Sequence, residues 1–324
     1  MTELEFRERY YREKNIYEQW GVLVTDTIVG ELSKTEKVDE FLKMRPFPRV
    51  KEENSLVAKA FFRGKNYQDP YNEITDKVGA RFVVLLVEHI NVIKTIIQSC
   101  KLWDYSLDRD FEEERRQKPT LFEYQSIHYI VRNKQSIMVS GFTIPANTPC
   151  EIQIRTLLQH AYAELAHNTI YKPIGKVPPE VHRIIARSMA LIETTDALFS
   201  HASEMIEMKA QEQKKWMDEL TRLYLSIADS PQIVDKLNMF IYDAMDELVS
   251  SDDLMAVAGF IKEHSWLKGS VASHYTDNLL YRQPIVILLY YLIDRKQRTI
   301  LSKWPLPEKY LEPLFTDLGY AMPS

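Results

Sequence analysis

The feature that most restricts the fold of this chain is a short run of almost entirely apolar residues, Gly79–Val87. The run reads Gly-Ala-Arg-Phe-Val-Val-Leu-Leu-Val, and it is too short and too rich in β-branched residues for a typical helix. Such a run predicts a strand that is buried on both faces of a sheet. A sheet that is covered on both faces needs helices beside it, so we expect strands and helices to be mixed here.

The neighbouring segments supply the other elements of this sheet and its helices. Strand-like composition predicts three further strands, at 127–132, 136–142 and 149–155. Apolar residues at helical spacing predict helices at 3–43, 52–62, 90–99 and 156–170. Residues 104–122 are charged and irregular, so we expect an exposed loop there.

From about residue 180 onward the pattern is almost entirely helical, and a segment rich in Lys, Gln and Glu at 205–215 marks a change in composition. We therefore predict an α+β fold, with a mixed central sheet of about five strands flanked by helices and an all-helical C-terminal region. The predicted parts are an N-terminal helical segment at 1–44 that packs on the core, a catalytic domain at 45–205 and a helical region of unknown role at 206–324.

Composition limits the class of protein. The chain has 324 residues, a net charge of −5 and a pI of about 6.0, so it is not a general nucleic-acid binder, and a polyanion site must be a local basic patch. Its two cysteines form no CxxC pair, and we expect reduced thiols. Met1–Arg9 lacks the apolar run of a secretion signal, and Pro284–Ile293 is too short to cross a bilayer, which predicts a cytoplasmic protein without a membrane partner.

Two predicted strands carry polar residues at alternating positions. Glu151, Gln153 and Arg155 share one face, which suits the floor of a polar cleft or equally the solvated face of an ordinary strand. Tyr124 begins the other series and offers a ring for base stacking, although a half-buried tyrosine at a strand start has the same pattern. The other members of that series are Ser126 and His128.

Asp76 stands just before the buried strand, where a carboxylate commonly holds Mg²⁺, although a turn residue has the same signature. Asp76 and Glu151 together are candidates to hold a metal against triphosphate oxygens. Upstream, residues at four-residue spacing form a basic stripe on one helical face, which is a candidate triphosphate site or an ordinary solvated face. The basic segment comprises Arg49, Lys51, Ser55, Lys59, Arg63 and Lys65.

Other motifs are weaker or absent. Four polar residues share one face of the helix predicted at 156–170. Their spacing does not match a known zinc motif, so we expect them to form hydrogen bonds with the cleft or the sheet. These residues are His160, Glu164, His167 and Tyr171. The sequence has no P-loop, no GxGxxG and no protein-kinase signature, and it lacks the His-Asp pair of one class of metal-dependent phosphohydrolases.

In this order and spacing the motifs resemble the synthetase domain of the RelA/SpoT family of alarmone (ppGpp and pppGpp) synthetases, over roughly residues 45–205. The matching residues are Arg49-x-Lys51-x3-Ser55-x3-Lys59, Ile74-Thr75-Asp76 with Arg81, Tyr124-x-Ser126-x-His128, Glu151-x-Gln153-x-Arg155-Thr156, His167 and Tyr171-Lys172. The resemblance implies a nucleotidyltransferase-like fold and a Mg²⁺-dependent pyrophosphokinase. That enzyme moves the β,γ-pyrophosphate of ATP to the ribose 3′-hydroxyl of GDP or GTP.

The resemblance also implies roles for individual residues. Asp76 is similar to the main Mg²⁺ ligand, and Glu151 to the second acidic residue, which helps the metal or activates the hydroxyl. Arg49 resembles a residue that stacks on adenine, and Tyr124 resembles the platform under the acceptor base. The implied ATP-binding residues are completed by Lys51, Ser55, Lys59, Arg63 and Arg81, and the implied acceptor-side residues by Ser126, His128, Gln153, Arg155 and His167.

One departure leaves the acceptor open. Family members usually have glycine directly before the tyrosine, often preceded by asparagine, whereas Phe122 and Glu123 precede Tyr124 here. The alternatives are a toxin-type member that pyrophosphorylates the 3′ end of tRNA or makes adenosine alarmones, and a catalytically inactive regulatory adaptor. The C-terminal region is a candidate to brake the site, to bind a regulatory or antitoxin partner or a second copy, or to complete the fold.

Overall fold

The computed structural model describes residues 1–64, 66–123, 125–167, 177–228, 233–250 and 252–322. Contacts between residues divide the chain into two compact units, unit 1 at Met1–Ala202 and unit 2 at Ser203–Ser324. Each unit has its own apolar core.

Strands occur in unit 1. They are β1 (Pro48–Val50), β2 (Val78–Val84), β3 (Trp103–Arg109), β4 (Ile127–Asn133), β5 (Ile137–Val139), β6 (Phe142–Ile144) and β7 (Pro149–Thr156). Five of them form one sheet in the order β1-β2-β7-β4-β3. Because β7 pairs parallel with β2 and antiparallel with β4, it is the central strand. The predicted mixed sheet of about five strands is confirmed.

Helices accompany this sheet, as the apolar run predicts. The long first helix, α1 (Glu3–Leu32), contacts β1, β2 and β7 and buries residues such as Phe6, Trp20 and Ile28. The helix predicted at 3–43 is therefore interrupted after Leu32. The other helices that begin in unit 1 are α2 (Val38–Phe41), α3 (Glu53–Val57), α4 (Pro70–Glu73), α5 (Val87–Ser99), α6 (Phe111–Gln117), α7 (Leu157–Ala166) and α8 (Pro179–Leu225).

The prediction of an exposed loop at 104–122 is wrong, because this segment contains most of β3 and all of α6. β3 is an edge strand of the sheet. Trp103 is the one buried residue of β3. The other side chains of this strand are exposed or half-buried, and most of them are polar. The alternation of Trp103, Tyr105 and Leu107 was the available signal, but the charged residues among and after them give the segment the composition of an exposed loop.

The single strand expected at 136–142 is also wrong. The chain forms a two-stranded hairpin of β5 and β6 that is separate from the main sheet. Ser140 and Gly141 connect the two strands, and both have positive φ, at 49° and 81°. Two consecutive residues of positive φ are typical of the tight turn that reverses a strand.

Unit 2 is helical in its described residues. Its further helices are α9 (Asp235–Met245), α10 (Asp253–Glu263), α11 (Leu267–His274), α12 (Ile285–Lys303) and α13 (Glu312–Asp317), with single 3₁₀ turns at 246–248, 279–282 and 308–310. The first nine residues of α12 are almost fully buried, so the apolar run at Pro284–Ile293 forms a buried helix. No helix among the described residues is long and apolar enough to cross a membrane.

Unit 2 encloses one carboxylate within its helices. Oδ2 of Asp317 accepts hydrogen bonds from the hydroxyls of Ser270, Tyr281 and Tyr290, the Tyr281 bond measuring 2.7 Å. Burial, followed by contacts with neighbouring groups that include Asp317, raises the pKa of both tyrosines, so they remain neutral donors. This network connects α11, the 279–282 turn, α12 and α13.

Candidate active site

The register of β2 and β7 places the main polar side chains side by side. Gly79 is paired with Glu151, and Arg81 with Gln153. Along β7, Ile152 and Ile154 are fully buried, so the alternating residues Glu151 and Gln153 face the other side of the sheet. β2 is accordingly less buried than its sequence predicts, because Gly79 and Arg81 border a cavity.

This cavity has a volume of about 300 Å³, which is within the range of small-ligand sites. Residues from both central strands, the β1–α3 segment, the turn before β2 and the end of α7 line it. The predicted site residues in its wall are Arg49, Lys51, Ser55, Asp76, Arg81, Glu151, Gln153 and His167. The structure therefore brings the predicted metal-binding pair together with most of the predicted ATP-binding residues.

Asp76 is held by two lysines. Lys51 and Lys59 both donate to its Oδ2, the Lys59 contact measuring 2.8 Å. Burial raises the pKa of Asp76, but the two ammonium groups outweigh burial and lower it overall, so the carboxyl is ionised at neutral pH. Its other oxygen, Oδ1, is buried and has no hydrogen-bond partner among the described residues.

Glu151 is the second enclosed carboxylate. His128 Nδ1 lies 3.4 Å from its Oε1, and the side-chain amide of Gln153 donates to its Oε2 at 2.8 Å. Burial raises the pKa of Glu151, as does the nearby negative charge of Asp76, but contacts with His128 and Gln153 lower it overall. Glu151 is therefore a carboxylate, and the two acids are close enough to interact.

A glycine leaves space beside this carboxylate. A Cβ atom on Gly79 would lie 3.1 Å from the backbone oxygen of Glu151 and 3.7 Å from its Oε2. Any side chain at this position would press on β7 and extend into the cavity. The lack of a side chain at residue 79 keeps the approach to Glu151 open.

The donor set fits Mg²⁺. Carboxylate oxygens are hard ligands, Asp76 presents one enclosed oxygen without a partner, and the mutual repulsion of two adjacent carboxylates is relieved by a divalent cation. In the described ranges, no three His, Cys, Asp or Glu side chains are grouped so that together they could hold a metal ion. Mg²⁺ commonly takes one or two carboxylates and completes its shell with phosphate oxygens and water, so Asp76 and Glu151 suffice as protein ligands.

Arg81 extends from β2 to α7. Its guanidinium donates to Glu164 at 2.8 Å and lies 3.5 Å from Nδ1 of His160. Burial and the positive charges of Arg81 and Arg155 lower the pKa of His160, so this histidine is neutral at pH 7. The face of α7 predicted to meet the cleft therefore contacts Arg81, a lining residue.

Some predicted site residues lie beside the cavity or away from it. Lys59 and His128 do not line the cavity, but Lys59 contacts Asp76 and His128 contacts Glu151, both of which do. Ser126 is buried and bonds the carbonyl of Ile154, and Arg155 is 2% exposed and bonds Gln153. Arg63 is exposed and does not line the cavity. Lys65, Tyr124, Tyr171 and Lys172 lie outside the described residues.

Sequence reasoning missed several residues of the cavity wall. Arg45 and Phe47 line it from the extended segment before β1, and Phe47 is exposed. The alternation Arg45-Pro46-Phe47-Pro48-Arg49 was the available signal, because an extended chain presents every second residue on one side. None of the other additions stands out from its sequence context. They are Met44, Glu52, Gly79, Ala80 and Val83.

A polar cluster lies under the segment that follows Tyr124. Gln125 donates to Glu193 of α8 at 2.9 Å, and Arg115 of α6 lies 3.3 Å from the same carboxylate. Nearby, Asp196 of α8 accepts from the hydroxyl of Thr156 at 2.7 Å, and its other oxygen has no partner within the described ranges. Burial raises the pKa of Asp196 to about 6.

A second, smaller cavity of about 180 Å³ adjoins this cluster. Glu123 and Gln125 form part of its wall, together with cationic side chains from β3, α6 and the segment after α6. Those cations are Arg109, Arg115 and Lys118. Glu123, which departs from the family pattern, therefore faces a pocket with mixed charge.

Comparison with known proteins agrees with this geometry. The family model described as "Region found in RelA / SpoT proteins" matches residues 48–176. GTP pyrophosphokinase YjbM of Bacillus subtilis (strain 168) is 28% identical over 169 residues, which is 51% of this chain and 72% of that protein.

Solved structures share the fold at lower identity. Small alarmone synthetase 1 from Bacillus subtilis superposes with a TM-score of 0.52 at 21% identity, over 62% of this chain and 99% of that one. A GTP pyrophosphokinase family protein from Streptococcus pneumoniae gives a TM-score of 0.51 at 22% identity, over 64% and 97%. Residues 48–176 therefore match the region found in RelA/SpoT proteins, and the chain has the fold of the small alarmone synthetases.

Proposed function

We propose that the protein is an alarmone synthetase that transfers the β,γ-pyrophosphate of ATP to the ribose 3′-hydroxyl of GDP or GTP. The observation that carries this proposal is the meeting of Asp76 and Glu151 in one cavity with Arg49 and Lys51. The related Bacillus subtilis protein is named a GTP pyrophosphokinase, which agrees with a guanosine acceptor.

The cations of the cavity provide the binding site for ATP. Lys51 and Lys59 are ammonium groups on flexible stems, and each can exchange its contact with Asp76 for a phosphate oxygen. Arg49 is exposed on the edge strand β1, where its planar guanidinium is accessible for stacking on the adenine ring. Asp76 and Glu151 would hold Mg²⁺, which when bound neutralises charge on the transferred phosphates.

Glu151 is placed to accept the proton of the acceptor hydroxyl. The 3′-oxygen forms a bond to the β-phosphorus of ATP, the bond from that phosphorus to the α,β-bridging oxygen breaks, and AMP leaves. Because contacts with His128 and Gln153 keep Glu151 ionised, it is available as a base near neutral pH. A positioned base of this kind contributes roughly 10²–10⁴-fold to the rate.

The acceptor side is where this chain departs from its family. Glu123 replaces a glycine and lines the smaller cavity beside Gln125, adding a negative charge and two hydrogen-bond acceptors. This observation favours, as the second candidate, a change of acceptor to an adenosine nucleotide or to the 3′ end of tRNA. The donor chemistry is the same in both candidates.

One assay separates the candidates. The purified chain is incubated with Mg²⁺ and [γ-³²P]ATP, with GDP, GTP, AMP, ADP, ATP alone or deacylated tRNA as acceptor, and the products are resolved by chromatography. We expect label on GDP or GTP, and we expect no label when the acceptor nucleotide lacks its 3′-hydroxyl. Label only on an adenosine nucleotide or tRNA establishes the second candidate, and no transfer to any acceptor contradicts both.

The variant Glu123→Gly tests the departure itself. It restores the residue that the family usually has, and if Glu123 sets the acceptor, the ratio of kcat/KM values for two acceptors changes by roughly tenfold or more. Glu112→Gly is a matched control, because Glu112 lies on α6 and does not line the smaller cavity. An unchanged ratio in Glu123→Gly excludes Glu123 as a determinant of acceptor choice.

A further inference from the structure

The first helix of the chain, α1, precedes the region that matches RelA/SpoT proteins, yet it contacts the segments that carry Lys51 and Asp76. α1 ends at Leu32, whereas the match begins at residue 48. Its apolar side chains pack on the sheet, and this packing alone would make it a cover for the core. Several of its polar side chains, however, bond to groups beside the cavity, which a helix that only covers the core does not need.

The segment of Lys51 is held from two successive turns of α1. Tyr10 is 1% exposed, and its hydroxyl donates to the backbone oxygen of Lys51 at 2.5 Å. One turn earlier, Arg7 donates to Oε1 of Glu53 at 2.5 Å and to Oδ1 of Asn54 at 3.0 Å, at the start of α3. A buried hydroxyl that donates to one backbone oxygen restricts the direction in which that peptide group points. The side chain of Lys51 therefore extends from a peptide group whose orientation α1 determines.

The turn of Asp76 is held by the next residue, Lys77. Lys77 is 1% exposed, and its Nζ donates to the backbone oxygen of Ile74 at 2.6 Å, which closes a loop around Asp76. Nζ also lies 5.4 Å from the ring centre of Tyr17 and 4.8 Å from that of Tyr71, within the range of a cation–π contact. Burial lowers the pKa of Lys77 to about 8, so the ammonium form still predominates at neutral pH.

Glu13 connects these two rings to α1. Its Oε2 accepts hydrogen bonds from the hydroxyls of Tyr17 at 3.2 Å and Tyr71 at 2.8 Å. Its Oε1 accepts from Nε of Arg9 at 3.0 Å, and its negative charge favours the ammonium form of Lys77. A continuous series of contacts therefore leads from a carboxylate of α1, through two tyrosines, to the lysine that follows Asp76.

We propose, on the basis of the proposed function, that α1 positions the ATP and Mg²⁺ end of the cavity. Tyr10 sets the backbone of Lys51. Lys77, enclosed by the tyrosines that α1 holds, sets the backbone of Asp76. The two segments are joined directly, because the amide of Lys51 donates to the backbone oxygen of Lys77 at 2.9 Å. Neither Tyr10 nor Lys77 lines the cavity, so both act on a substrate only through their neighbours.

Tyr10→Phe tests the Lys51 side, because it removes the hydroxyl and keeps the ring in the core. Isothermal titration calorimetry measures the binding of Mg²⁺ with α,β-methylene-ATP, which cannot react because a carbon replaces the α,β-bridging oxygen. The dissociation constant is expected to rise about fivefold, the equivalent of one hydrogen bond. KM for ATP should rise with it, while KM for the acceptor is unchanged.

Tyr224→Phe is the matched control for this variant. Tyr224 is fully buried, and its hydroxyl donates to the backbone oxygen of Tyr281 at 2.6 Å within unit 2. The control should lose a similar amount of stability in urea unfolding, without a change in affinity for the analogue. An unchanged dissociation constant in Tyr10→Phe, or the same increase in both variants, overturns the proposal.

Lys77→Met tests the Asp76 side. Methionine has a similar length and suits a buried site, but it cannot donate to Ile74 or attract the tyrosine rings. Electron paramagnetic resonance of Mn²⁺ in the presence of α,β-methylene-ATP measures metal binding without turnover, and the dissociation constant of Mn²⁺ is expected to rise roughly tenfold. Lys296→Met is the control, because Nζ of Lys296 donates to the backbone oxygen of Leu248 at 2.7 Å in unit 2. Unchanged Mn²⁺ affinity in Lys77→Met overturns the positioning of Asp76.

Hydrogen exchange distinguishes failure of this proposal from failure of the proposed function, because it is measured without nucleotide. The amide of Lys51 should exchange about tenfold faster in Tyr10→Phe and in Lys77→Met than in the native chain, while amides of unit 2 keep their rates. A native chain that transfers no pyrophosphate but shows this acceleration contradicts the proposed function and supports the anchoring by α1. Unchanged exchange in both variants overturns the anchoring, even when the native chain is an active synthetase.

Discussion

Asp76 in unit 1 and Asp317 in unit 2 are enclosed to the same degree, with 15% and 14% of their side chains exposed, yet their surroundings differ in kind. Asp76 contacts two lysine ammonium groups and lines a cavity with one oxygen unsatisfied in the described structure. Asp317 accepts hydrogen bonds from three hydroxyls within a helical core.

The difference separates a carboxylate that can change partners from one that cannot. Lysine side chains are long and mobile, so the contacts of Asp76 can be exchanged for phosphate or metal when a nucleotide enters. The tyrosines around Asp317 are buried and nearly rigid, so their hydrogen bonds fix the helices that carry them. Removal of Asp76 should therefore affect chemistry, and removal of Asp317 should affect folding.

The largest expected effect is that of Asp76→Asn. This change keeps the shape of the side chain but removes the charge that holds Lys51 and Lys59 and that would hold Mg²⁺ in the proposed function. Pyrophosphate transfer should therefore fall by roughly 10³-fold or more. Radiolabelled transfer measures the rate, and circular dichroism checks the fold. Asp104→Asn is the matched control, because Asp104 is exposed on β3 and should leave the rate unchanged. Retention of a tenth of native activity in Asp76→Asn would exclude its catalytic role.

Glu151→Gln should have the next largest effect. The amide keeps a similar volume but cannot accept the hydroxyl proton, so kcat should decrease by roughly 10²–10³-fold while KM for ATP changes little. Steady-state kinetics with each substrate varied in turn separate the two constants. A loss confined to KM would instead show that Glu151 acts only in binding.

Asp317→Ala should lower stability rather than chemistry. Three buried or half-buried hydroxyls lose their common acceptor, which should decrease the free energy of unfolding by about 2–3 kcal/mol. Urea unfolding followed by far-UV circular dichroism provides the measurement. Asp317→Asn retains an acceptor oxygen and should lose less. A change below about 0.5 kcal/mol for the alanine variant would contradict the structural role of the network.

The smallest effect concerns Asp196 and depends on pH. Its pKa is about 6 in the folded chain, against an ordinary value of 3.8, so between these values the folded state retains a proton that the unfolded state has lost. Stability therefore decreases as pH rises through this window, and the loss persists above it. Asp196→Asn mimics the protonated form and should be about 2 kcal/mol more stable than the native chain near pH 7, with no gain near pH 4. An equal difference at both pH values would rule out this titration.

The sequence was most informative where side chains follow a clear period. The apolar run predicted the strand β2, and the alternation of Glu151, Ile152 and Gln153 predicted a strand with one polar face. The sheet contains both strands, although β2 is less buried than predicted. Asp76 and Glu151 were predicted as a pair from their positions beside two predicted strands and again from the family resemblance, and both line the cavity. These signals are local, so they survive in a single sequence.

Local sequence patterns could not predict contacts between distant residues, and they did not identify the strands at the edge of the sheet. Lys51 and Lys59 were assigned to phosphate and Asp76 to metal, yet in the described structure they bind one another across 25 and 17 residues of chain. β3 was missed because the charged residues among and after Trp103, Tyr105 and Leu107 resemble an exposed loop. The hairpin was missed because Ser140 adopts positive φ, which serine rarely does.

The position of β7 in the middle of the sheet has a consequence for how such a protein can diversify. Its backbone is bonded to a strand on each side, so displacement of Glu151 would break two ladders at once. Its amides should be among the slowest of unit 1 to exchange with solvent. New substrates must therefore be accommodated by the surrounding segments, while the carboxylate of Glu151 remains in place.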